Sequence, residues 1–224
     1  MKKKLVMVMI STMLVASLMA CGSKKETSGK ASTKTEQSSN NNDTKDAKKT
    51  EERELSYDTI KDYPETKASD FHTETTTDYP KDDTTVTAAC TYSGKDKVVV
   101  VPSEIDGKKV VEIGQLTFAN NKDVEGIVIP DTVERISDSA FAHCENLKYV
   151  VLSKNLKAIE EGTFINTGIK EITFPATLSD IGENGASLNG LIGVTINVEP
   201  GMSDNIMSQL EKWKNALHLT IVQK

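Results

Sequence analysis

His143 and Cys144 are the one adjacent imidazole–thiol pair in the chain. A base that takes the proton from a thiol makes a thiolate, the reactive form of cysteine. Adjacency along the chain does not orient the base onto its thiol, and the pair falls in a turn ahead of Leu147, so both are read as structural residues. His72 and His218 are isolated. Asp82, Asp83, Glu160 and Glu161 could attract calcium, but no oxygen-rich loop of fixed spacing surrounds them. The chain has no glycine-rich phosphate loop, no Gly-x-Ser-x-Gly elbow and no His/Cys cluster with metal-ligand spacing. The expectation is a chain that is not an enzyme, with no cofactor and no metal. Spacing alone leaves open a bridge between Cys90 and Cys144.

The elements that would position any site come from a repeat. Phe118, Phe141 and Phe164 recur every 23 residues. Ile113, Ile136, Ile159 and Ile181 keep nearly the same spacing, and so do Val124, Leu147, Ile169 and Leu191. Three apolar columns on one period point to a solenoid, because each unit is too small to bury its apolar face alone. The strand segments read Val124-x-x-Ile127-x-Ile129, Leu147-x-x-Val150-x-Leu152, Ile169-x-x-Ile172-x-Phe174 and Leu191-x-x-Val194-x-Ile196. That is the leucine-rich-repeat strand pattern. Pro102, Pro130 and Pro175 stop the ladder, since proline lacks the N–H that further pairing needs. Val133, Leu156 and Leu178 belong to the return path. The predicted fold is an α/β repeat solenoid: a short, right-handed leucine-rich-repeat coil with one strand per repeat.

The run Ile129-Pro130-Asp131-Thr132-Val133-Glu134-Arg135-Ile136, followed by Ala140-Phe141, Cys144, Leu147 and Val150, resembles the BspA-type leucine-rich repeat of bacterial surface proteins. Val101 to Gly114 resembles that family's usual first repeat, which carries five extra residues. The likeness covers roughly 98–198 and departs at the last unit, where Ala186 stands in the Phe column. It implies that Cys144 is a packing residue. It also implies adhesion to host matrix proteins or cell–cell contact.

Two ends close the predicted solenoid. Val86–Tyr92 and Val98–Val101, joined across Ser93-Gly94, are expected to form an N-terminal hairpin cap. Ser203 can N-cap a helix burying Ile206, Leu210, Trp213 and Leu217, and Leu217, Leu219 and Ile221 alternate as a last strand. Together they form a C-terminal helix–strand cap.

Outward strand positions of such a coil stack about 4.8 Å apart. The expected central column is Val100, Val128, Val151, Thr173 and Thr195, flanked by Glu125 and Gly126, Lys148 and Tyr149, Lys170 and Glu171, and Ile192 and Gly193. The candidate ligand-binding face is therefore Val128, Lys148, Tyr149, Val151, Lys170, Glu171 and Thr173. Tyr149 is its best single anchor, because aromatic residues dominate interface hot spots. Strand propensity alone would also place Val and Thr there.

The remaining sequence sets location. Lys2, Lys3 and Lys4 precede the apolar stretch 5–20 and then Cys21, a pattern of a signal peptide (1–20) that resembles a bacterial lipobox. By that resemblance Cys21 is lipidated. Residues 21–83 read as the lipidated cysteine and a mostly disordered polar linker, and 84–224 as the repeat domain with its caps. The net charge of −6 argues against a nucleic-acid partner. The expectation is an extracytoplasmic protein, lipid-anchored at the bacterial cell surface. Its partner would be a protein, either a host extracellular-matrix protein or another envelope component, the latter implying a structural or assembly role.

Overall fold

The computed structural model describes residues 54–76 and 86–224. Cys21, Asp82 and Asp83, with the signal-peptide stretch and the linker up to residue 53, lie outside the described residues.

In chain order the elements are α1 (Tyr57–Ile60), β1 (Phe71–Glu74), β2 (Val86–Tyr92), β3 (Val98–Val100), β4 (Glu104–Ile105), β5 (Lys108–Ile113) and β6 (Gly126–Val128). There follow β7 (Arg135–Ile136), β8 (Tyr149–Val151), β9 (Ala158–Ile159), β10 (Glu171–Phe174), β11 (Thr195–Val198), α2 (Asp204–Lys214) and β12 (Thr220–Gln223). The fold is of leucine-rich-repeat type with parallel strands. β3, β6 and β8 pair in parallel, with Val99 beside Ile127 and Ile127 beside Val150. β10, β11 and β12 form a second parallel set, in which Ile172, Ile196 and Ile221 are in register. β10 packs next to β8.

The repeat contributes two strands per unit, not one. The Ile column of the return path is itself a parallel ladder: Ile113, Ile136 and Ile159 lie side by side in β5, β7 and β9. All three are buried in the core. Backbone pairing at these two-residue strands satisfies amides that the core would otherwise strand without partners.

Between the two ladders the Phe column fills the interior. Ring centroids of Phe118 and Phe141 are 5.6 Å apart, and those of Phe141 and Phe164 are 6.1 Å apart. All three rings are essentially inaccessible to solvent. Each contributes about 1.5–3 kcal/mol through burial alone.

The hairpin expected before the repeats does not form. β2 lies between β1 and β5 in one sheet, while β3 pairs β6 in another. Ala89 faces the core from the first sheet and Val99 from the second, so the chain between them crosses the interior edge. The Tyr92 hydroxyl holds the crossing: it accepts from the Asp96 amide at 3.2 Å and lies 3.2 Å from the Asp96 carboxylate. The ring passes so close to Gly94 that a Cβ there would stand 2.3 Å from its oxygen.

Residues 54–76, read from sequence as part of the linker, pack on the repeats. β1 pairs antiparallel with β2. Phe71 joins the aromatic column, 5.2 Å from Tyr92 and 6.3 Å from Phe118. Thr66 closes the free edge of β3, with its amide donating to the Val100 carbonyl at 2.9 Å and its hydroxyl accepting from the Val100 amide at 3.1 Å.

The last unit also differs from expectation. β10 and β11 pair with Ile172 beside Ile196 and Thr173 beside Asn197. Thr195 therefore sits beside Glu171, not in the column of Thr173. A slip of two residues keeps every side chain on its own face, so the alternation of Val194, Ile196 and Val198 could not reveal it. Gly190, ahead of β11, stands at φ 102°, and a Cβ there would run into the Phe164 carbonyl oxygen. In α2 the Ser203 hydroxyl accepts from the Ile206 amide, and Ile206 and Leu210 are buried. Trp213 and Leu217 are only partly covered.

Candidate ligand-binding strand face

The residues with chemical potential serve the backbone and the core. His143 occupies the left-handed region at φ 62°, as do Asn120 and Asn166 one unit away on either side. Asn and His tolerate this conformation better than most residues. The His143 Nδ1 lies 2.9 Å from the Asn166 amide nitrogen, on the same exposed turn edge. Cys144 points the other way, fully buried, and its thiol donates to the Phe118 carbonyl at 3.0 Å. Burial pushes its pKa up to about 11, which keeps the thiol neutral. Cys90 and Cys144 are both free.

The Glu160 carboxylate is taken by Arg135 at 2.5 Å and by the Asp138 amide at 3.0 Å. Burial raises the Glu160 pKa, against the pull of Arg135. Glu112, which the sequence did not single out, is buried and accepts from the Ser137 hydroxyl at 2.5 Å. Among the described residues no three His, Cys, Asp or Glu side chains gather as a metal-binding group.

On the strand face the parallel register sets Val100, Val128 and Val151 in one row and Thr173, Asn197 and Val222 in another. A neighbouring row is Val98, Gly126 and Tyr149. Gly126 leaves a notch between two side chains, and α1 fills it. Ile60 is fully buried there, with Cγ2 and Cδ1 3.3 and 3.7 Å from where a Gly126 Cβ would stand. Tyr57 meets Tyr149 edge-on, with ring centroids 5.3 Å apart and planes at 85°. Its hydroxyl donates to the Glu171 carbonyl. Burial pushes the Tyr57 pKa up to about 12.

The seven residues expected on the face thus fall into groups. Tyr149 and the Glu171 carbonyl hold the chain's own Tyr57. Val151, Glu171 and Thr173 line a groove of about 340 Å³ together with Tyr57 of α1, Lys154, Glu199 and Lys224. Lys148 and Lys170 are exposed outside that groove, and Lys148 lies 3.7 Å from Glu125. Val128 is half-buried and also outside it. The Glu171 carboxylate accepts from Asn197 at 2.5 Å.

Sequence reasoning missed Tyr57, Ile60 and Asn197. The available signal was Ser56 and Thr59 three apart, which form a capping box, with Tyr57 and Ile60 at the same spacing.

Residues 105–198 match, in six copies, the family model described as BspA type leucine-rich repeat region. No curated protein matches the chain. Among solved structures, the T. pallidum leucine-rich repeat protein TpLRR is 22% identical, covering 61% of this chain and 71% of its own, with a TM-score of 0.50. A leucine-rich repeat protein from Bacteroides capillosus is 26% identical over 51% of this chain and 87% of that one, with a TM-score of 0.45. The pneumococcal vaccine antigen PcpA is 17% identical over 61% of this chain and 44% of that one, with a TM-score of 0.44. Two parallel ladders on a period of about 23 residues, the left-handed turns and the six matched copies agree: residues 105–198 form a repeat region similar to the BspA-type leucine-rich repeats.

Proposed function

We propose that this chain is a binding module of the bacterial cell surface whose strand face takes a protein ligand. The observation that carries the reading is the uncovered part of that face. An open groove is lined by Val151, Thr173 and Pro175, by Tyr57 of α1, and by the charged Lys154, Glu199 and Lys224. Val222 beyond it is 40% exposed. Apolar and charged side chains together around an open groove suit a protein partner. In this reading the repeats wind as a right-handed solenoid, with α2 and β12 closing its C-terminal end. Cys21 carries the lipid anchor, and the polar stretch after it tethers the module to the membrane. A short repeat region offers a small interface, which many copies on one surface would compensate through multivalency.

The test is binding of the full chain to immobilised fibronectin, fibrinogen and an envelope extract. A Val151→Arg/Thr173→Arg variant, with its fold checked by circular dichroism, serves as the comparison. The expected result is saturable binding that weakens at least about tenfold in the variant, or about 1.4 kcal/mol. Binding to the envelope extract alone identifies an assembly partner in place of a host protein. Binding that the variant retains in full, or no binding by either chain, sinks the reading.

A further inference from the structure

We infer that the covered part of the strand face is a docking site for one helical turn that carries a tyrosine and, three positions on, a branched aliphatic residue. Residues 54–66 are its internal and displaceable occupant. This rests on the proposed function in taking the strand face as the ligand-binding surface.

The site reads two side chains. The first reading is of shape. In the row Val98, Gly126, Tyr149 the middle side chain is missing, and the Ile60 side chain enters that gap. Ile60 is fully buried while its neighbours Thr59 and Lys61 are not. A larger side chain at position 126 would close the gap, and a polar one in place of Ile60 would be desolvated without a partner.

The second reading is of a ring with a polar tip. Tyr57 stands edge-on to Tyr149, an arrangement that aromatic pairs favour. Its hydroxyl then reaches the Glu171 carbonyl on the next strand. Phenylalanine would make the ring contact and leave that acceptor unserved. Residues three apart on a helical turn lie on one side of it, so Tyr57 and Ile60 enter the face together. The Ser56–Thr59 capping box closes the docked turn on itself.

The occupant is built to be exchanged. α1 is four residues long and buries one of them, Ile60. An isolated turn of that length is not stable by itself and persists through its contacts. An external segment with the same two side chains meets the same gap, ring and carbonyl. A ligand of this kind must first displace α1, so the cis turn lowers the apparent affinity of the face for every competitor.

The probe is a fluorescein-labelled peptide of residues 54–66, titrated into the full chain and followed by anisotropy. The site is vacated with Tyr57→Ala/Ile60→Ala, and with Tyr57→Ala alone as a milder second form. It is closed by adding Gly126→Leu to either. We expect saturable binding to the vacated chains. Binding should be at least tenfold weaker to the unaltered chain, to the closed chains, and for a peptide whose Tyr57 and Ile60 are alanine. The inference is overturned if a vacated chain, folded by circular dichroism, fails to bind the peptide or binds both peptides alike. That failure leaves the Val151→Arg/Thr173→Arg result standing, and failure of the groove leaves the peptide titration standing, so the two readings fall separately.

Discussion

The two halves of the strand face are both built of parallel strands and are used differently. Along the row Val98, Gly126 and Tyr149 of β3, β6 and β8 the chain covers its own surface: Ile60 fills the Gly126 notch and Tyr57 rests on Tyr149. On β10, β11 and β12 the outward positions Thr173 and Val222 are half-buried or exposed, and a groove lined by Thr173 opens between them and Val151 of β8. One missing side chain separates the two. Where the row reads Val98, Gly126, Tyr149 there is a hole for a partner side chain. Where it reads Glu171, Thr195, Thr220 every position carries a side chain. A strand row that faces outward is thus not a ligand surface by that fact alone; what the preceding chain lays across it decides what remains free.

The sharpest contrast is between β1 and α1, which belong to one segment and play different parts. Phe71 of β1 is 7% exposed and extends the core aromatic column. We expect Phe71→Ala to cost about 3–5 kcal/mol in urea unfolding of the full chain. A cost under about 1 kcal/mol would put β1 in the same class as α1. Within the face itself, Tyr149→Ala removes the partner of Tyr57 and should cost about 1–2 kcal/mol. Thr173→Ala, on the open half, should stay within about 0.5 kcal/mol of the unaltered chain. Equal costs at the two positions would erase the distinction drawn between the halves.

A smaller effect separates them by pH. The folded chain holds the Tyr57 hydroxyl protonated up to about 12, against an ordinary value of 10.0. The folded value lies above the unfolded one, so this contribution to docking is whole below pH 10 and is lost as pH rises toward about 12. In Tyr57→Phe that pH dependence should vanish, at a cost near neutrality of about 0.5–1.5 kcal/mol for the lost hydrogen bond. Difference titration of tyrosinate absorbance between the two chains reads it. A difference between the two chains that titrates near 10 would mean that Tyr57 is not docked.

Much of this was legible in the sequence because burial repeats. Phe118, Phe141 and Phe164 announce the core column, and Ile127, Val150 and Ile172 the strands, since a 23-residue period brings like residues together. The period says nothing about residues that occur once. Phe71 and Tyr92 cap the Phe column from outside the repeat, and Ile60 finds its place only because Gly126 lacks a side chain. A four-residue helix is too short to show an amphipathic pattern at all. Gly126 was read as a flanking position, for the sequence marks an absent side chain and does not say what enters the space. The slip that sets Asn197 beside Thr173 was hidden for a related reason: strands alternate with a period of two, and a shift of two preserves every in–out assignment.

The most direct test of the difference between the halves is native-state hydrogen exchange of the full chain across a denaturant series. The amide of Ile60 in α1, bonded to the Ser56 carbonyl, is compared with the amides of β6 and β8 beneath it. If α1 is a displaceable occupant, its amide exchanges through local opening, at least about a hundredfold faster than those strands and with little dependence on denaturant. If the Ile60 amide exchanges at the same rate as β6 and β8 and with the same denaturant slope, α1 opens only when the whole domain unfolds, and the covered half is simply core.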